Sequence, residues 1–262
     1  MADWNPALYR RFEDERTRPA AELLARVELA APRSVFDLGC GPGNSTELLV
    51  ERFPDAAVVG TDNSPAMIAA ACERLPRVRF ELSDIEGWQP DETPDLVYAN
   101  ASLQWIPNHE DLLPRLFATL APGGVLAVQM PDNLDEPSHR LMRETAADPR
   151  FADAIGEADK LRARILAAER YYDLLAPQAD AVDVWRTCYH HRMAAPADIV
   201  QWLRSTGLKP FVEALPQALQ APYLAEYEQR IALAYPERAD GCRLLAFPRL
   251  FIVARRKLMS AQ

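Results

Sequence analysis

The stretch SVFDLGCGPGNSTELLVERF, residues 34–53, decides the fold. Its first half is an apolar run ending in glycines, and its second is an amphipathic segment opened by Asn44 and Ser45. That order predicts a strand, a glycine loop and a helix in succession. Working outward, AAVVGTD (56–62) reads as a second strand and SPAMIAAACERL (64–75) as a second helix, with Ser64 as N-cap and Pro65 at the first helical position. VRFELSD (78–84), DLVYAN (95–100) and GVLAVQM (124–130) continue as strands, and HEDLLPRLFATL (109–120) as a helix stopped by Pro122, Gly123 and Gly124. Strands alternating with helices argue an α/β domain with a doubly wound, mostly parallel sheet.

Beyond Met130 the rhythm changes. Residues 135–175 have helical composition, VDVWRTCYHHRM (182–193) suits a sixth strand, 196–236 returns to helices, and LLAFPRLFIVARR (244–256) suits a seventh. Pro248 inside the last strand cannot donate to a ladder, which predicts an edge position or a bulge. The expectation is one domain over 1–262 with a seven-stranded sheet. Its ligand-binding core spans 34–130, and the segments 1–30, 131–181 and 194–243 supply helical elements, the insertions folding over the carboxyl edge as a lid.

Composition narrows the classes of function. The 262 residues are 49% hydrophobic, enough for a sizeable core, and carry a net charge of -9. A negative field repels phosphate, so neither nucleic acid nor an anionic membrane is an expected partner. No apolar run approaches the ~20 residues needed to cross a bilayer. The opening MADWNPALYRRFEDERTRPA holds no signal-peptide core, and a cytoplasmic protein is expected. Cys40, Cys72, Cys188 and Cys242 are scattered without metal-ligand spacing, so they read as reduced thiols and no metal site is expected.

The loop Asp37-Leu-Gly39-Cys-Gly41-Pro-Gly43-Asn is not a dinucleotide fingerprint. A GxGxxG pattern counted from Gly39 would need its third glycine where Asn44 stands. An acid before a GxGxG loop suits a cationic amino-acid ligand instead, with Asp37 placed to hold an ammonium group. Asp62, ending the second strand, can accept both hydroxyls of a ribose. Asp84, ending the third, can accept from an adenine amine while Met67 and Ile85 pack on the base. The plain alternative makes the glycines a tight turn and Asp62 and Asp84 helix caps or turn residues, but caps alone do not require this glycine spacing.

This constellation resembles the class I S-adenosylmethionine-dependent methyltransferases over residues 34–130, with their DLGCGPG loop matched residue by residue. The resemblance implies a Rossmann-like fold and S-adenosyl-L-methionine as cofactor. It implies that Asp37, Gly39, Gly41 and Gly43 meet the methionine part, Asp62 the ribose and Asp84 the adenine. Asn100, Ala101 and Ser102 match the segment whose backbone contacts the methionine moiety. DWNP at 3–6, YxxFxxERxRPAxELL from 9, NASLQW at 100–105, VLAVQMPDN at 125–133 and AFPRLFIVARR at 246–256 are similar, together, to the trans-aconitate 2-methyltransferase family. That likeness implies methyl transfer to one carboxylate of trans-aconitate, giving a monomethyl ester and S-adenosylhomocysteine.

Such chemistry needs no general base, because a carboxylate with pKa near ~4 is already ionised at neutral pH. Orientation and removal of water remain the enzyme's task. A small polycarboxylate does need cations, and Arg16, Arg18, Arg186 and Arg249 are the candidates. They are expected to hold the two spectator carboxylates while neutral Tyr9 or Gln129 orients the third. Trp4 and Trp105 are candidate pocket walls, and Tyr171, Tyr172 and His190 candidate lid-side contacts. Alternatives keep the cofactor but change the acceptor to another acid or a phenol, for which His190 would serve as base, or make the chain a non-catalytic S-adenosylmethionine sensor. A nicotinamide-dependent oxidoreductase is opposed by Asn44 and Asp84. The expected oligomeric state is a monomer, with a homo-oligomer as the alternative.

Overall fold

The computed structural model describes residues 13–204 and 206–258, with side chains from Thr17 onward. Helix α1 (Glu13–Leu24) precedes strand β1 (Ser34–Leu38), followed by α2 (Asn44–Arg52), β2 (Ala57–Asp62), α3 (Pro65–Arg74), β3 (Arg79–Leu82), β4 (Leu96–Asn100), α4 (His109–Thr119) and β5 (Val125–Pro131). Then come α5 (Pro137–Ala146), α6 (Ala152–Ile155), α7 (Ala168–Leu175), β6 (Ala179–Met193), α8 (Pro196–Arg204), α9 (Lys209–Ala214), α10 (Gln217–Ala234) and β7 (Arg243–Arg256).

The seven strands lie in the order β3-β2-β1-β4-β5-β7-β6. The pairs β1–β2, β1–β4, β2–β3 and β4–β5 are all parallel. β7 runs against β5: the Arg256 N–H donates to the Gly124 carbonyl at 2.8 Å, and at the other end the Asp132 N–H donates to the Pro248 carbonyl at 2.9 Å. An edge position for Pro248 is therefore corrected. β6 forms the edge, and Pro248 contributes the acceptor that proline retains. Asp84 likewise lies beyond its strand, because β3 closes at Leu82.

The described residues form two compact units, one within 13–131, 165–187 and 250–258 and one within 132–164, 188–204 and 206–249. In the first, β1, β4 and β5 are buried nearly throughout, the pattern of a sheet covered on both faces. Phe36, Val97, Leu113, Phe117, Leu126 and Val128 form its centre. Ser64 caps α3 by accepting from the Met67 N–H at 3.2 Å, as the sequence predicts. The Tyr98 hydroxyl donates to the Ala20 carbonyl of α1 at 2.6 Å.

The second unit has its own core, with Trp202, Phe151, Tyr223 and Tyr227 fully buried. Buried phenols need acceptors, and here they find backbone. Tyr223 donates to the Met142 carbonyl at 2.9 Å and Tyr227 to the Ser138 carbonyl at 2.7 Å, both on α5.

Candidate functional site

The glycine loop is stitched to the end of β2. The N–H groups of Gly39 and Cys40 both donate to the Thr61 carbonyl, at 2.7 and 2.9 Å. Gly39, Gly41 and Gly43 all have positive φ, at 74°, 55° and 91°. Gly39 is constrained twice, since a Cβ there would stand 2.3 Å from the Cβ of Ser102. No side chain fits that gap, so Gly39 lets the loop after β4 close onto the loop after β1. Ser102 fixes the approach by donating its hydroxyl to the Leu38 carbonyl at 2.7 Å.

Asp37 is fully buried in β1. Its Oδ2 accepts from the hydroxyls of Ser45 and Thr46, each at 2.7 Å, while its Oδ1 has no partner. Burial pushes the carboxyl up to about 6, against the pull of the Thr46 and Ser45 hydroxyls, and Asp62 adds like-charge repulsion. A buried carboxylate oxygen without a donor costs free energy that an ammonium group would recover. Asn100, at the end of neighbouring β4, holds a second buried acceptor, Oδ1, without a partner.

Asp62 braces the loop. Its Oδ2 accepts from the Gly41 N–H at 3.0 Å and its Oδ1 from the Ser64 N–H at 2.9 Å. The turn-building role set against it from sequence is thus present. Asp84 is exposed and accepts from the Glu86 N–H at 2.9 Å. Met67 and Ile85 are buried, and Ile85 Cδ1 stands 3.6 Å from where a Gly39 Cβ would lie. Ala101 adopts a left-handed φ of 55°, held by its N–H donating to the Gln129 carbonyl at 2.8 Å and its carbonyl accepting from Gln104 Nε2 at 2.6 Å. A non-glycine residue in that region is strained, and such strain gathers at functional sites.

S-adenosylmethionine fits these residues on its donor chemistry. Its ammonium matches the orphaned Asp37 Oδ1, and its ribose hydroxyls match Asp62. Two residues escaped the sequence reading. Ser45 and Thr46 leave one Asp37 oxygen available by occupying the other. Their hydroxyls look like ordinary helix-start residues in the sequence, so no signal pointed to them.

The substrate-side candidates are more dispersed. Trp4 and Tyr9 lie outside the described residues, as does the side chain of Arg16. Arg18 is exposed and pairs with Glu22 at 2.8 Å. Gln129 is fully buried in β5, and Trp105 is partly exposed, at 37%, on the helical turn Leu103–Trp105. Tyr171 is corrected from lid contact to core residue. It is wholly buried in α7, and its hydroxyl meets His109 Nδ1 at 2.5 Å and the Leu166 N–H at 3.1 Å. Because His109 Nε2 donates to the Leu103 carbonyl at 2.8 Å, neutral His109 accepts the Tyr171 proton at Nδ1. Tyr172 and Arg186 are exposed in the first unit, and His190 is exposed in the second. Alternation along β6 buries its neighbour His191 instead, against Trp202 with ring centroids 4.5 Å apart. Arg249 is buried in the second unit, its guanidinium 5.0 Å from the Phe247 ring and 5.9 Å from that of Tyr189.

Among the described residues no helix is long and apolar enough to cross a membrane, and no cluster of metal-ligating side chains occurs. All four cysteines are free thiols. The methyltransferase-domain family matches residues 9–211. The chain is 68% identical to the trans-aconitate 2-methyltransferase of Variovorax paradoxus, over 98% of this chain and 100% of that one. It is 66% identical to the protein of the same name from Paracidovorax citrulli, over 98% and 99%. Among solved structures it resembles Haemonchus contortus phosphoethanolamine N-methyltransferase 2 in complex with S-adenosyl-L-methionine. That match has a TM-score of 0.53 and 17% identity, covering 92% of this chain and 52% of that one.

Proposed function

The chain belongs to the trans-aconitate 2-methyltransferase family, and from that premise we propose that it transfers the methyl group of S-adenosylmethionine to a carboxylate of trans-aconitate. The products are the monomethyl ester and S-adenosylhomocysteine. The observation that carries the reading is Asp37, a buried carboxylate with one oxygen held by two hydroxyls and the other aimed at no protein donor. When bound, the cofactor supplies an electrophilic methyl group on a sulfonium.

The chain's own part is binding and orientation. Asp37 takes the ammonium, Asn100 and the strained Ala101 segment flank it, and Asp62 takes the ribose. The backbone of Gly39, Gly41 and Gly43 shapes the floor, while Asp84, Met67 and Ile85 hold the adenine. The acceptor carboxylate attacks already ionised, so no residue need remove a proton. Arg249, fixed between two aromatic faces and shielded from water, serves a spectator carboxylate, and Arg16, Arg18 and Arg186 are further candidates. Neutral Gln129 or Tyr9 orients the reacting group without quenching its nucleophilicity. Trp4 and Trp105 exclude water, and Tyr172 and His190 contact the acceptor from the insertions. The protein works on a small molecule as a cytoplasmic monomer, and its four thiols suit a reducing compartment.

The test is methyl transfer from labelled S-adenosylmethionine to trans-aconitate, cis-aconitate, citrate and isocitrate, with products identified by mass spectrometry. The expected result is a trans-aconitate monomethyl ester with the highest kcat/KM of the panel. Turnover favouring another acid would reject the acceptor while leaving the cofactor site in place.

A further inference from the structure

A cavity of about 240 Å³ lies wholly within the second unit, and three guanidinium groups line it: Arg143, Arg162 and Arg164. The sequence reading gave none of them a role. We propose that this cavity binds a small organic polycarboxylate, gripped by Arg162 with Arg143 and Arg164 beside it. The inference goes beyond the methyl-transfer reading and stands whether or not trans-aconitate is the methyl acceptor.

The cations are arranged rather than scattered. Arg143 is fixed by donating to the carbonyls of His139 at 3.2 Å and Leu134 at 3.0 Å. Its remaining edge meets Asp159 at 3.1 Å, a side chain that is 90% exposed. Arg164 forms a two-pronged pair with Asp135, at 2.6 and 2.8 Å. Arg162 is half-buried, with its Nε out of contact with solvent. Burial and the neighbouring Arg143 guanidinium together push Arg162 down to about 10, so it stays cationic at neutral pH inside an unfavourable environment. Gly207 leaves room for it, since a Cβ there would stand 3.2 Å from Arg162 Nη1 and 2.9 Å from His139 Nε2. Burial and the two arginines also hold His139 neutral, so it adds polarity without charge.

Like charges held together in a half-buried cavity are stabilised by a ligand with more than one negative charge. Guanidinium forks match carboxylate geometry. Leu134, Met142, Ala158 and Phe211 supply apolar wall, which suits a carbon skeleton better than an inorganic anion, and Asp159 is the one carboxylate in the lining, already paired with Arg143. The volume falls below the ~300–1,000 Å³ of drug-sized sites, which limits the ligand to the size of a small metabolite.

The experiment titrates citrate, and separately inorganic phosphate, into the full chain by calorimetry, and follows hydrogen exchange of 137–164 with and without citrate. Citrate should bind about tenfold more tightly than phosphate and slow exchange across 137–146 and 158–164. Arg162→Gln should weaken citrate about tenfold, and Arg164→Gln about threefold, while both leave S-adenosylhomocysteine affinity unchanged. If Arg162→Gln does not fold, Arg164→Gln decides, because that side chain is 59% exposed. Citrate affinity unchanged in the folded variants, or exchange unaltered over 137–164, overturns the site. Phosphate binding as tightly as citrate overturns the polycarboxylate assignment. A failed methyl-transfer assay alters neither readout.

Discussion

The two units hold their charged groups by different means. In the first, the decisive acid sits on a central strand, and its surroundings come from the next dozen residues: Asp37 is oriented by Ser45 and Thr46 at the start of the following helix. In the second, Arg143, Arg162 and Arg164 meet around one cavity from a helix and an irregular segment about twenty positions apart, with Gly207 packed behind them. A site built by a strand–loop–helix turn is a local property of the chain. A site built from an insertion depends on how that insertion packs. The first unit should therefore fail sharply when one loop position changes, whereas changes in the second should affect acid recognition without disturbing the cofactor.

The largest effect is expected for Gly39→Ala. The new Cβ meets Ser102 at 2.3 Å in a backbone region that L residues avoid. Strain and overpacking together should cost about 3 kcal/mol, seen as a lower Tm and lost cofactor binding in thermal unfolding and calorimetry. Next comes Asp37→Asn, which removes the charge but keeps the shape. S-adenosylhomocysteine, which retains the ammonium, should bind about 100-fold more weakly, the scale of losing one partner of a buried charge pair. An unchanged Kd would break the assignment of the first unit.

Arg249→Gln sharpens the comparison from the other side. KM for trans-aconitate should rise about tenfold with a smaller fall in kcat, and S-adenosylhomocysteine affinity should stay within about twofold. Equal falls in kcat and kcat/KM would mean that Arg249 acts only in the transition state. The smallest effect is expected for Ser64→Ala, which removes the cap bond to the Met67 N–H. It should cost about 1 kcal/mol in thermal unfolding and leave KM for the acid unchanged.

What could be read in advance follows the same division. The strands and helices of 34–130 appear almost where the residue pattern puts them, because glycine, proline and Ser64 act within a few residues of themselves. Asp37 and Asp62 could be placed for the same reason. The lost donor of Pro248 pointed to an edge or a bulge, whereas β6 takes the edge and the Pro248 carbonyl accepts from the Asp132 N–H. Tyr171 and Tyr172 are adjacent, yet helix α7 turns only Tyr171 inward, with Leu175 one turn further on also buried. The period-two pattern of β6 could have separated His191 from His190. The arginine cavity left no local trace, since Arg143 stands on helix α5 while Arg162 and Arg164 lie in an irregular segment about twenty positions further on.

In the proposed mode of binding, Asp37 carries the cofactor's ammonium as a carboxylate. Its ordinary value is 3.8, and burial raises it to about 6, so below that pH the free protein holds Asp37 protonated. An ammonium favours the ionised form, so binding there must release the proton, and affinity falls as pH drops. The direct measurement is the Kd of S-adenosylhomocysteine by calorimetry from pH 5 to 7.5, for the natural chain and for Asp37→Asn. The natural chain should lose close to tenfold in affinity per pH unit below about 6 and stay level above it, whereas Asp37→Asn should be weak and flat throughout. A flat profile in the natural chain, or the same slope retained in Asp37→Asn, would contradict it.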